Sequence, residues 1–215
     1  AVFNLDVLKV SRLVVEEIEK FRLASYTEKS QRYITLEDDF VIPAEVSSAG
    51  LEEAFVSTVR AQYGFYHELY GKLRPYVFET NPGLAADPAS RSLLEGWAKE
   101  DARYIIPLAT ETQLGMTVNA RTLELMIRRL AAAPLAEARD YSRRLYDAVK
   151  GVAPSLVRYT EPTAYDLEAR EALRGRIAGI LAGTTPKPDV QRPEDGVRLV
   201  EATADADEKI AAALL

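Results

Sequence analysis

Val10, Leu13, Val14, Ile18 and Phe21 recur three or four residues apart, and the segment they lead into, Lys20 to Tyr33, is crowded with polar groups. The spacing is that of one helix face. An apolar stripe therefore carries the chain directly into a charged run. Ser11 stands where an N-cap belongs, and a helix is expected over Val10–Arg22. Just before it, Phe3, Leu5 and Val7 alternate with Asn4 and Asp6, the period-two pattern of a half-buried strand over Val2–Val7. Strand and amphipathic helix in such close succession favour an α+β chain in which polar groups gather at the end of a buried element.

That run holds the cations Lys20, Arg22, Lys29 and Arg32, the carboxylate of Glu28, the hydroxyls of Ser25, Thr27 and Ser30, and the amide of Gln31. Arginine offers a planar fork of donors and serine adds hydroxyls, so the segment can grip an anion. A solvated, charge-mixed connection after a helix has the same composition. Glu17 lies on the apolar stripe itself, where a carboxylate must either reach water at the edge or be paired within a cavity.

Farther on, Ile34–Pro43 mixes acids with apolar residues and reads as a loop or edge strand. Leu51, Phe55, Val59, Gln62, Tyr66, Leu69 and Leu73 mark a long helix over Leu51–Leu73, expected to stop before Pro75. His67 and the tyrosines around it are assigned to packing. Trp97 belongs to a helix leading to Arg103. Pro107 ends that helix, and the next is expected over Thr117–Leu130, with Asn119 and Arg121 in its first turn and Leu123, Met126, Ile127 and Leu130 inward. Free N–H groups beside an arginine suit an anion, and an ordinary cap with a surface arginine gives the same pattern. Further helices follow over Leu135–Val149 and Asp166–Leu181.

The formal charge of -6 disfavours a nucleic-acid partner held by bulk charge. No apolar run reaches bilayer length and no signal-peptide pattern opens the chain, so a soluble, cytoplasmic protein with no membrane partner is expected. There is no cysteine, which removes disulfides, thiolate metal sites and a thiol nucleophile. A single histidine excludes histidine-cluster metal sites, and no metal is expected.

Ser25-x-Thr27-Glu28-x-Ser30-x-Arg32-Tyr33 resembles the RHRxxSxNExSxRY signature of the flavin-dependent thymidylate synthases. Glu100–Thr110 followed by Thr117-Val118-Asn119-Ala120-Arg121 resembles that family's second landmark. The resemblance runs from about Val2 to Tyr159. It implies a fold like that of thymidylate synthase-complementing proteins, a small, mostly antiparallel sheet covered by long helices. It also implies transfer of a methylene group from methylenetetrahydrofolate to dUMP, with FAD as cofactor and NADPH as reductant. The flavin carries that chemistry, so no catalytic side chain is required. The classical thymidylate synthase reaction, which needs a cysteine, is excluded here.

By the same resemblance, Glu17, Glu28, Ser30, Arg32, Arg103 and Arg129 face dUMP. Lys20, Arg22, Thr27, Glu28, Asn119 and Arg121 face FAD. The match departs where the family has Arg-His-Arg and this chain has Lys20-Phe21-Arg22. Thr27 replaces an asparagine, Pro134 falls near the family's loop histidine, and Leu130 near its uracil-gripping arginine, one residue from Arg129. The phosphate-holding part thus reads as intact and the flavin-facing part as eroded. Two functional readings stay open. One is a divergent enzyme whose missing donors come from another chain or copy; the other is a non-catalytic half that folds, oligomerises and binds nucleotide.

The chain opens on Ala1, already inside a strand, where the resembled family has a preceding segment with flavin contacts, so a fragment of a longer protein is expected. Residues 1–183 read as the family-like domain and the Pro- and Gly-rich 184–196 as a linker. Residues 197–215 read as a short strand, Val197–Val200, and an Ala-rich helix from Asp205. This tail resembles the start of a second copy; a C-terminal extension of one domain fits it equally. A homotetramer, or a pseudo-tetramer of tandem halves, is the oligomer the resemblance implies.

Overall fold

A computed structural model describes residues 1–30, 36, 38–182 and 203–214. The chain divides into two compact units, Ala1–Ala169 and Arg170–Leu215. The first holds a three-stranded antiparallel sheet in the order β1-β3-β2, built from β1 (Val2–Ser11), β2 (Ala24–Glu28) and β3 (Glu111–Asn119). This is the expected α+β arrangement of a small antiparallel sheet with many helices.

β1 runs four residues beyond the strand expected from alternation. The pairing with β3 shifts between Val7 and Val10, and Lys9 there takes φ 58°. Such a bulge adds a residue and breaks the period of two, which is why Val10 turns inward beside Val7 although three positions separate them. α1 (Arg12–Ile18) therefore starts two residues later than its apolar stripe predicts, and ends before Arg22. Ser11 caps it, its Oγ accepting from Val14 N at 3.2 Å. The same hydroxyl and the Ser11 N–H donate to the two oxygens of Glu137, at 2.6 and 2.7 Å. Val14, Val15 and Ile18 are fully buried, each contributing about 1.5–3 kcal/mol of burial.

The main core lies between one face of the sheet and α1, α6 (Ala120–Ala131) and α7 (Ala136–Val149), with Met116, Leu123, Met126 and Leu145 at its centre. Asn4, Asp6, Ser25, Thr27, Gln113 and Thr117 stand on the sheet's opposite face and are exposed. That face is open.

A second body of packing joins α3 (Glu52–Thr80) to α5 (Arg91–Ala102), beyond the short helices α2 (Ala44–Ser48) and α4 (Pro82–Ala86). α3 does not stop before Pro75; it continues through it. A proline inside a helix forfeits a hydrogen bond, at about 3 kcal/mol. Burial of Val77 against Leu94 and Ala98, with Phe78 and Leu73 packed beside them, offsets that cost.

The helix expected from Thr117 is a second correction. Thr117–Asn119 close β3, and α6 begins at Ala120. Asn119 is its N-cap, accepting from Thr122 N at 2.9 Å. α7 matches its expected span, with Leu135 at the cap position. α8 (Ala164–Ala182) covers the helix expected at Asp166–Leu181, and the boundary between the units falls within it. In the second unit, α9 (Ala206–Leu214) is the Ala-rich helix expected after Asp205, with Asp207 and Glu208 in its first turn, where the helix dipole favours acids. The predicted linker and the strand Val197–Val200 lie outside the described residues. No helix among the described residues is long and apolar enough to cross a membrane.

Candidate functional site

The polar run after α1 is not a loop throughout: Ala24–Glu28 of it forms β2. Ala24, Tyr26 and Glu28 face the core side, while Ser25 and Thr27 face the open side. Tyr26 pins the strand to the end of α1, its hydroxyl donating to the carbonyls of Ile18 and Phe21 at 2.9 and 3.0 Å. Burial, helped by the charge of Glu19, pushes that phenol up to about 12. Phe21 packs against the main core.

β2 separates the polar residues into two groups, one at each end of the strand. At its start, Leu23 lies beside the end of β3, and Asn119 Nδ2 donates to the Leu23 carbonyl at 3.4 Å. Arg22 and Arg121 flank this junction, exposed and without an ion pair among the described residues. Lys20 is committed elsewhere, its Nζ 2.6 Å from Glu17 Oε1. Glu17 thus takes the edge position, pairing with a cation one turn on.

At the far end, Glu28 is held on both oxygens. Arg12 Nη1 donates to Oε2 at 2.6 Å and Thr112 Oγ1 to Oε1 at 3.2 Å. Arg12 Nη2 also binds Glu16 at 2.7 Å. Partial burial, then the charges of Glu28 and Glu16, raise the nearby Glu19 carboxyl, with Arg12 opposing them. Ser30 is half-buried two residues on. The backbone of residues 108–110 reaches this end too: Arg12 N donates to Thr110 O at 2.9 Å and Leu13 N to Leu108 O at 3.0 Å. Arg103, at the end of α5, is half-buried, with Nη2 3.9 Å from Glu100 Oε1. On the open face, a cleft of about 420 Å³ runs past this end, lined by Asp6, Leu8, Thr27, Lys29, Gln113 and Gly115.

The structure thus brings together Glu17 with Lys20, the Arg22 segment with Asn119 and Arg121, and Glu28 with Thr112 and an arginine that sequence reasoning did not single out, Arg12. Arg129 stands apart, exposed in the last turn of α6, where it helps to lower the Asp166 carboxyl. Arg32 lies outside the described residues. His67 packs edge-on against Tyr66, ring centroids 5.1 Å apart, as assigned, and also makes a polar contact. Its ring is half-exposed with Nε2 2.9 Å from Asp38 Oδ1, and it is Tyr66 beside it that is buried. Among the described residues no cluster of three His, Asp or Glu side chains is placed to hold a metal ion.

The family model of the thymidylate synthase complementing protein, Thy1, matches residues 1–155. The flavin-dependent thymidylate synthase of Clostridium tetani is 31% identical over 158 residues, covering 72% of this chain and 60% of that protein. The flavin-dependent thymidylate synthase of Geobacter sulfurreducens is 30% identical over 166 residues, covering 75% and 62%. The chain therefore spans about three-fifths of the length of these relatives. Among solved structures, a flavin-dependent thymidylate synthase of Helicobacter pylori complexed with FAD and dUMP aligns with a TM-score of 0.48 at 20% identity, covering 74% of this chain and 73% of that one.

Proposed function

Since the chain belongs to the thymidylate synthase complementing protein family, we propose that it forms one wall of a flavin-dependent thymidylate synthase site. The substrate would be dUMP, methylated from methylenetetrahydrofolate with FAD and NADPH. The observation that best supports this reading is the pairing of β2 with β3. It sets the segment after α1 beside the segment opening α6, across 96 positions of sequence, at the contact of Asn119 with Leu23.

Phosphate needs cations and donors. Ser30, Arg103 and Arg32 are assigned to the dUMP phosphate, with Glu28 beside them. Arg22 and Arg121 have the charge and exposure to meet the phosphates of a dinucleotide such as FAD. The groups for the ring of FAD fit poorly. Phe21 packs against the core, Asn119 spends its oxygen on the helix cap, and Lys20 holds Glu17. When bound, FAD would supply the reducing and transferring chemistry; this chain's own residues orient nucleotide and do not complete the flavin pocket. Methyl transfer would then require donors from another copy or chain, within a homo-oligomer.

Calorimetric titration with dUMP tests the nucleotide half of the reading, with uncharged deoxyuridine as control. Arg32→Ala and Arg103→Ala should each weaken dUMP by about 1.5–3 kcal/mol, the range for hydrogen bonds to charged groups, and leave deoxyuridine unchanged. Equal dUMP affinity in wild type and both variants would overturn the assignment.

A further inference from the structure

Acids crowd the end of β2 to which the dUMP phosphate is assigned. Glu28 is the last residue of the strand, and Ser30 follows within about 7 Å along the chain. Glu28 keeps 23% of its side-chain surface in water and contributes to the wall of the open-face cleft. Glu16 is exposed on α1, and Glu19 is half-buried just past its end. Partial burial, then the charge of Glu28, raise the Glu19 carboxyl, and Arg12 opposes them. Lys29 turns to the open face. A dianion at Ser30 therefore meets the Glu28 carboxylate within one Debye length, about 10 Å at 0.1 M salt.

Arg12 answers that charge from a fixed place. Ser11 caps α1 just ahead of it, and its own N–H donates to Thr110 O at 2.9 Å. The guanidinium then divides, Nη1 to Glu28 at 2.6 Å and Nη2 to Glu16 at 2.7 Å. Thr112 Oγ1 holds the other oxygen of Glu28 at 3.2 Å. Two donors on opposite oxygens fix the carboxylate plane while leaving it acceptor capacity. Ion pairs this exposed stabilise a fold only modestly. We propose that Arg12 is a positioning residue for the nucleotide: it holds Glu28 in one orientation and cancels its charge, so that a phosphate can settle at Ser30 and Arg103. Both terminal nitrogens are engaged by carboxylates, so Arg12 acts through Glu28 and not on the phosphate. This role rests on the dUMP site proposed above.

Calorimetry with dUMP and with uncharged deoxyuridine, at about 0.05 and 0.5 M salt, tests it. Arg12→Gln should weaken dUMP about tenfold at the lower salt, about 1.4 kcal/mol, and less at the higher, with deoxyuridine unchanged. Arg12→Lys keeps the charge and loses the fork, and should retain most of the affinity. Arg12→Gln/Glu28→Gln restores the net charge and should regain most of what Arg12→Gln loses; a direct contact of Arg12 with phosphate would not be regained. Glu16→Gln, at an exposed position, leaves the guanidinium to Glu28 alone and should tighten dUMP about twofold. That result stands even where Arg12→Gln fails to fold, and its absence there would overturn the role. Parallel loss of dUMP and deoxyuridine in Arg12→Gln would also overturn it, because Arg12 would then serve only the fold. Wild type that binds no dUMP would sink site and role together. Wild type that binds dUMP, loses it in Arg103→Ala and keeps it in Arg12→Gln would sink the role alone.

Discussion

Arg12 Nη1 lies 2.6 Å from Glu28 Oε2 while Nη2 holds Glu16 at 2.7 Å, so one guanidinium ties the first turn of α1 to the last residue of β2. Both Arg12 and Glu28 keep about a quarter of their side-chain surface in water. Their coupling should therefore be modest, about 0.2–1 kcal/mol. A double-mutant cycle of Arg12→Gln and Glu28→Gln, read by urea unfolding, measures it. Strictly additive effects would mean that the contact does not stabilise the fold.

Tyr63 performs the corresponding task where the chain returns from the signature segment. Its hydroxyl reaches the Asp39 carbonyl at 3.0 Å and Thr110 Oγ1 at 2.9 Å, and Tyr63 and Thr110 are both buried. Tyr63→Phe keeps the ring and loses the hydrogen bonding, and should cost about 1 kcal/mol. Tyr63→Ala also opens a cavity and should cost about 3–5 kcal/mol. Chemical denaturation separates the two, and equal losses would show that the hydroxyl rather than the packed ring dominates.

Long helices were legible because their stripes are local. α7 and α8 match the spans their periodicity predicts, and α3 departs mainly where burial of Val77 carries it past Pro75. β2 was not legible, since of its inward residues Ala24, Tyr26 and Glu28 only Tyr26 is large and apolar. Its partner lies some ninety residues on, and hydrogen bonds of that range leave no local pattern. β3 did leave one: Thr112, Leu114, Met116 and Val118 alternate with exposed or half-exposed residues. Thr117 and Asn119, both good cap residues, drew the helix start too early. Among site residues, the polar run was visible as composition, but Arg12 was not. Its partner Glu28 reaches it only once β2 has folded back along α1.

Acid should loosen the segment between α7 and α8 first. Glu124 on α6 accepts from Tyr159 N at 3.0 Å and Arg158 N at 2.7 Å, and those bonds lower its carboxyl. Asp166 is lowered by Thr163, whose hydroxyl donates at 2.7 Å, with Arg128 and Arg129 assisting. A carboxylate lowered in the folded state stabilises fully above its unfolded value, about 4.3 for Glu and 3.9 for Asp. The contribution disappears as pH falls through the lower folded value. Hydrogen exchange at residues 157–166, corrected for intrinsic rates, should be flat from neutrality to about pH 5 and rise below pH 4. Glu124→Gln should remove part of that rise. Protection independent of pH down to 3 would contradict it.

Flavin binding gives the sharpest test of the proposal that this chain does not complete a flavin pocket. Where the family signature has donors, this chain has Phe21 against the core and Thr27 on the open face of the sheet. Pro134 stands near the remaining position, and its carbonyl accepts from Arg139 Nη1 at 2.6 Å. Each lost hydrogen bond to a charged group removes about 1.5–3 kcal/mol. Two such losses move a micromolar site to about millimolar. FAD titrated into the purified chain and followed by flavin fluorescence should therefore not saturate below about a millimolar, and NADPH should not be consumed when dUMP is added. Arg22 and Arg121, exposed at the junction of β2 and α6, should still give weak, salt-sensitive attraction to the dinucleotide phosphates, so Arg22→Ala/Arg121→Ala should abolish what binding remains. Phe21→His restores one donor and should tighten FAD by tenfold or more, at about 1.4 kcal/mol per tenfold. Stoichiometric FAD binding by wild type with dUMP-dependent NADPH oxidation would show that the substitutions at these positions leave the flavin site intact.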